Sequence, residues 1–227
     1  MHRRRLLFCA LSCLACVGIT GRRASSAEPL DPQRWEEDIQ RFEAQDQKEM
    51  PAPGGVLFVG SSSIVRWNLE EAFPELKAIN RGFGGSEVAD SLHFADRIIL
   101  PYRPRTIVFY AGDNDIANGK SAEQVAKDFA RLAAKIHEGL PEARLLFLAI
   151  KPSRARWELI DVQREANRLV AAQAEGADFL RFVDLASPLL GDDGLPREDL
   201  FEDDKLHINA AGYEVWNALL CAKLAPK

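Results

Sequence analysis

Four apolar residues, Val56, Leu57, Phe58 and Val59, run unbroken into Gly60 and three hydroxyls, Ser61, Ser62 and Ser63. A short continuous apolar run closed by a turn signal suits a strand buried on both faces. Gly60 can take backbone angles that other residues avoid, so the strand can end abruptly there. Such a strand needs a packed layer above it and another below, which restricts the chain to a few architectures.

The rest of the chain follows the same logic. Further strands are predicted at Ala78–Asn80, Thr106–Ala111, Leu145–Ile150 and Phe179–Leu185. Helical spacing occupies the intervals. Asp31 with Pro32 reads as the start of a surface helix carrying Trp35, Ile39 and Phe42. Ser86 is expected to cap a helix through Val88, Leu92 and Ile98. Ser121 with Gln124 makes a capping-box pattern ahead of Val125, Phe129, Leu132, Ala133 and Ile136. Trp157–Ala174 and Asn209–Leu224 complete the series. Strand and helix alternate, so the sheet is expected to be parallel with helices on both faces, because parallel neighbours need crossovers.

The first residues stand apart from this pattern. Arg3, Arg4 and Arg5 precede an apolar run from Leu6 to Thr20, then Ala24-Ser25-Ser26-Ala27. This is the layout of a secretory signal peptide, with cleavage expected after Ala27. The expected organisation is a leader over residues 1–27 and one catalytic domain over 28–227, exported to the periplasm or the exterior. A lipid- or leader-anchored protein is the alternative. The leader holds five arginines and no acids, so its removal takes 29 basic residues to 24 against 34 acidic, a net charge of −10. That charge argues against nucleic acid or an anionic membrane as partner. Cys9, Cys13 and Cys16 leave with the leader. Cys221 remains without a disulfide partner and reads as a packing residue beside Trp216 and Leu220.

Loops that follow the strands of an open parallel sheet gather at one edge, where ligands bind. Three of them, Gly60–Ser63, Gly82–Ser86 and Gly112–Asp115, are rich in glycine and small polar residues. Ser62 can act as a nucleophile if a base takes its proton. His93 reads as a half-buried packing residue, and His137, near a helix C-terminus, as structural. His207 differs. It follows an acidic loop, and Asp204 three residues earlier is spaced to put a carboxylate against the imidazole. Asn114 and the amides of Gly85 and Ser62 offer three donors for the negative charge that develops on a carbonyl oxygen in acyl transfer. Arg81, Tyr110, Lys151 and Trp157 are further candidates for lining such a site.

Taken together, these residues resemble the SGNH hydrolases, the GDSL-type esterases. Gly60-Ser61-Ser62-Ser63 is similar to the family's first block, with Ser62 at the nucleophile. Asn80-Arg81-Gly82-Phe83-Gly84-Gly85 is similar to the second, in the form found in platelet-activating-factor acetylhydrolase, where Gly85 would donate. Gly112-Asp113-Asn114-Asp115 matches the third through Asn114, and Asp204-Lys205-Leu206-His207 matches the last. One position departs: Ser61 stands where the family usually has aspartate. The resemblance implies a flavodoxin-like α/β/α fold with a mostly parallel sheet of about five strands. It also implies a serine esterase that uses neither cofactor nor metal, with Ser62, Asp204 and His207 as triad and Ser62, Gly85 and Asn114 as oxyanion hole.

The expected reaction is hydrolysis of a small-molecule or glycan ester. Export and the lack of a long apolar lid favour a short acyl group, such as acetyl on a polysaccharide. An O-acyltransferase using the same site and a non-catalytic carbohydrate-binding module are the alternatives. The acidic run Asp192–Asp204 does not fit an EF-hand and reads as a solvated loop.

Overall fold

The structure, a computed structural model, describes residues 31–224. The expected leader and its cleavage point after Ala27 lie outside the described residues. Five strands, β1 (Val56–Gly60), β2 (Ile79–Gly82), β3 (Thr106–Tyr110), β4 (Arg144–Leu148) and β5 (Leu180–Val183), form one sheet. Their order is β2-β1-β3-β4-β5, and each pairing is parallel, so the sheet is wholly rather than mostly parallel. Phe58 lies opposite Asn80 on one side and Val108 on the other, which sets the register of the three strands that matter most for the site.

Every residue of β1 and β3 is buried, which is why their sequences do not alternate. Successive side chains enter opposite layers. Leu57, Val59, Ile107, Phe109, Leu145 and Phe147 join one core; Val56, Phe58, Val108, Leu146 and Leu148 join the other. The helices, in chain order, are α1 (Glu36–Lys48), α2 (Ser62–Val65), α3 (Leu69–Ala72), α4 (Val88–His93), α5 (Ala95–Ile98), α6 (Asp113–Ala117), α7 (Ala122–Gly139), α8 (Ile160–Glu175) and α9 (Ala210–Leu224). The first core is closed by α1, α4, α5, α7 and α8 through Ile39, Val88, Ile98, Phe129 and Val170. The second is closed by Trp67 and Phe73 and by α9 through Trp216 and Leu220. The result is a three-layer α/β/α fold of the flavodoxin-like kind. Among the described residues no helix is long and apolar enough to cross a membrane.

Several local expectations are corrected. Ser86 does not cap α4. Glu87 does, with its side chain on the Asp90 amide and the Asp90 carboxylate accepting the Glu87 amide at 2.9 Å. The predicted helix also breaks at Phe94 into α4 and α5. The Ser121 hydroxyl accepts the Gln124 amide at 3.3 Å, but the Gln124 side chain turns to Asp128, so only half of the box forms. Asp31 accepts the Gln33 amide as expected, although the first turn, Pro32–Trp35, is a 3-10 helix. His93 is exposed rather than half-buried, with its ring edge-on to Phe94. Cys221 is exposed too, on the solvent side of α9 rather than packed in the core.

After β1 the chain crosses to β2 on one side and then to β3 on the other. That reversal opens a crevice at the carboxyl ends of the strands. The loops after β2, β1 and β3 are therefore side by side.

Candidate active site

Gly60 closes β1 with φ +139°, and a Cβ there would come within 1.9 Å of the Tyr110 carbonyl oxygen. Only glycine lets the Ser61 amide reach that carbonyl, at 2.9 Å, and the chain then turns directly into α2. Ser62 opens α2. Ser61 is buried, and its backbone takes the ladder bond to Tyr110 and accepts the Ile64 amide at 2.9 Å. The loop is thus pinned by main chain, whatever side chain stands at position 61. Asn80 adds a second pin, donating to the Ile64 carbonyl at 2.7 Å and accepting the Gly82 amide.

Ser62 Oγ lies 3.0 Å from His207 Nε2, across 145 residues of sequence. His207 Nδ1 lies 2.6 Å from Asp204 Oδ2. The carboxylate's other oxygen accepts the Leu206 and His207 amides, each at 2.9 Å. Lys205, between them, has φ +56°, and the turn is closed by Lys205 N–H to Glu202 O and Glu202 N–H to His207 O. Burial works to raise the Asp204 carboxyl, but the His207 ring and the two amides outweigh it and hold the group well below the usual carboxylate range. An ionised Asp204 calls for the proton on Nδ1, which leaves the Nε2 lone pair toward the Ser62 hydroxyl.

Gly85 has φ +82°, and a Cβ there would press on Trp35 at 3.2 Å. Among the described residues the Gly85 and Ser62 amides donate to no backbone or side-chain acceptor. Asn114 stands in the first turn of α6. Its Nδ2 donates to the Ser86 carbonyl at 3.1 Å, and its Oδ1 accepts from both Arg156 Nη atoms at 3.2 and 3.3 Å. A cavity of about 250 Å³ lies between these groups, with Ser62, Tyr110, Asn114, Lys151, Arg156 and His207 in its wall.

All five residues singled out for chemistry, Ser62, Gly85, Asn114, Asp204 and His207, thus converge at one edge. Of the further candidates, Tyr110 and Lys151 line the cavity, whereas Arg81 and Trp157 do not. Arg81 is buried at the far side of β2, bonded to Asp46 and Tyr102. Trp157 is half-buried under the Arg164 guanidinium. Asp113, Arg156 and Gln163 were not anticipated. Their signal was weak because each acts through partners remote in sequence. A larger cleft, about 1100 Å³, runs beside β2 between Phe42 and Arg105 and does not contain Ser62, Asn114 or His207. Among the described residues no group of three or more His, Cys, Asp or Glu side chains is set to hold a metal ion.

A family model of GDSL-like lipases and acylhydrolases matches residues 58–215. No curated protein matches the chain in sequence. Solved structures do match it. A Streptococcus pneumonia protein provisionally described as a platelet activating factor superposes with a TM-score of 0.76 at 20% identity, covering 85% of this chain and 94% of that one. A GDSL-like lipase from Bacteroides thetaiotaomicron gives 0.67 at 19% identity, over 86% and 97%. A catalytic mutant of an acetylxylan esterase from Geobacillus stearothermophilus gives 0.61 at 15% identity, over 78% and 96%. At these identities the likeness is one of fold. The family match spans β1 to α9 and takes in every loop at the crevice, so the chain belongs to the GDSL-like lipase/acylhydrolase family and is an ester-bond hydrolase.

Proposed function

We propose that this protein is an exported serine esterase for short-chain carboxylic esters, acting through an acyl-enzyme on Ser62. The observation that carries the reading is the continuous line from Ser62 Oγ to His207 Nε2 at 3.0 Å and from Nδ1 to Asp204 Oδ2 at 2.6 Å. The Ser62 hydroxyl attacks the ester carbonyl carbon as its proton passes to His207 Nε2. Asp204 holds the ring's tautomer and stabilises the imidazolium. The carbonyl oxygen, now negative, is met by the Asn114 carboxamide and the amides of Gly85 and Ser62. The intermediate expels the alcohol, which takes the proton from Nε2. Water then gives a proton to Nε2 and attacks the acyl carbon, releasing the acid and restoring Ser62.

A cavity of about 250 Å³ walled mainly by polar side chains suits an acyl group such as acetyl better than a long apolar chain. The acetylxylan esterase of the same fold makes O-acetylated xylan the first glycan to assay. The test combines hydrolysis of esters of graded chain length with labelling by a fluorophosphonate probe. Wild type should lose activity on labelling and carry the adduct on the Ser62 peptide, and Ser62→Ala should neither label nor turn over. Normal hydrolysis by Ser62→Ala would overturn the mechanism, and failure of wild type to label would favour non-catalytic carbohydrate binding. Export rests on the leader pattern over residues 1–27, with 28–227 as the mature catalytic domain. N-terminal sequencing should find Glu28 first, and an intact Met1 would remove that part of the reading.

A further inference from the structure

The loop after β4 belongs to none of the blocks that identify the site, yet it bridges two of them. Arg156 Nη1 lies 3.0 Å from Asp113 Oδ2, and both its Nη atoms donate to Asn114 Oδ1. Asp113 is buried, and its second oxygen accepts from Gln163 Nε2 at 3.0 Å. Lys151, 1% exposed, stands 3.7 Å from Asp113 Oδ2 and donates to the Leu206 carbonyl at 2.7 Å, one residue before His207. The Ala155 amide donates to the Lys205 carbonyl at 3.1 Å.

The ends of a carboxamide are alike in shape and opposite in function: one accepts and the other donates. At Asn114 both surroundings select the same orientation. The Ser86 carbonyl accepts only from Nδ2, and the Arg156 guanidinium donates only to Oδ1. A flipped amide would set oxygen against oxygen at Ser86 and an NH₂ group against a cation at Arg156. The orientation observed commits one Nδ2 hydrogen to Ser86 and, among the described residues, leaves the other without an acceptor beside the cavity. A cation on Oδ1 also draws electron density from the amide and strengthens its N–H as a donor.

We propose that Arg156, anchored by Asp113, is a positioning residue for ester hydrolysis that orients the Asn114 carboxamide toward the oxyanion. The proposal rests on the reading of Asn114 as an oxyanion donor. Arg156 acts through Asn114, so its effect belongs in the chemical step rather than in substrate binding.

A double-mutant cycle with steady-state kinetics on a short-chain ester tests this. Asn114→Ala alone should lower kcat by about 10²–10³. Arg156→Ala alone should lower kcat by about tenfold, a part of the same term, and leave KM within about twofold. In the Asn114→Ala background, Arg156→Ala should change kcat no further. An equal loss in both backgrounds, or a loss confined to KM, would overturn the positioning role while leaving the esterase reading intact. An Asn114→Ala enzyme with unchanged kcat would overturn the oxyanion reading, and this proposal with it. Asp113 keeps Lys151 and Gln163 when Arg156 is removed, so the fold should persist, and a thermal unfolding midpoint checks that. Arg156→Gln serves for the same cycle if the alanine variant melts below the assay temperature.

Discussion

Asp204 shows how a local spacing becomes a chemical arrangement. One oxygen caps the turn by accepting the Leu206 and His207 amides, and the other meets the imidazole. The same bonds that place the carboxylate favour its charged form, so its folded pKa lies below the unfolded value. For a depressed carboxylate the folded state binds fewer protons than the unfolded one in the window between the two values. The stability it contributes is therefore complete above the unfolded value, about pH 4, and is lost as pH falls from there toward the folded one. Asp204→Asn should flatten the acid limb of a plot of unfolding free energy against pH, measured by urea denaturation at each pH. An unchanged acid limb would show that the carboxylate is not held as described. The D-x-x-H spacing was legible in sequence because a turn brings residues three apart together. The Arg156–Asn114 contact was not, because 42 residues and a whole strand separate the two.

At the scale of elements, the site loops are braced by joints between helices made by residues outside the proposed catalytic set. Lys120, just before α7, reaches Glu87 at the cap of α4 and Asp115 in α6 at 2.9 Å, and Asp128 of α7 at 3.1 Å. All three carboxylates are nearly inaccessible to solvent. Burial pushes the Asp115 carboxyl up to about 6 despite the nearby ammonium, and Asp115 also accepts the Val88 amide at the start of α4. Removing the shared cation leaves buried negative charges facing one another. Lys120→Met should therefore cost about 3–5 kcal/mol in urea unfolding, the range for breaking a buried ion pair from one side. A change inside experimental error would place these groups in water instead. This junction also carries the Ser86–Asn114 contact, so the spacing of two site loops rests on it. Sequence reading assigned the cap of α4 to Ser86 because serine is a common cap. The structure assigns it to Glu87, whose carboxylate the neighbouring Asn118 and Lys120 hold in place.

Over the whole molecule, the second core is closed by α9 through Trp216. Trp216 of α9 is fully buried, with Trp67, Tyr110 and Tyr213 around it, and its Nε1 donates to the Leu185 carbonyl at 2.9 Å. It ties the last helix to the end of the sheet, directly after the loop that presents His207. Trp216→Ala should destabilise the fold by about 3–5 kcal/mol in chemical denaturation, the range for emptying a large aromatic site. A loss under about 1 kcal/mol would mean that α9 is not packed as described. Much of this architecture was readable beforehand. Short apolar runs closed by turn signals suit strands buried on both faces, and alternation with helices favours parallel pairing, so the sheet, its layers and the edge bearing the loops followed from local pattern. Glycine at positions 60 and 85 marked the turns, because both have a positive φ that other residues rarely adopt. Tertiary structure alone decided how the other polar groups pair. The burial of Lys151, the diversion of Arg81 to Asp46 and the clamp of Arg156 on Asn114 all depend on which surfaces exclude water together. Hydrophobic periodicity is a property of neighbours along the chain; electrostatic partnership is a property of neighbours in space, and it comes into being only when the layers close.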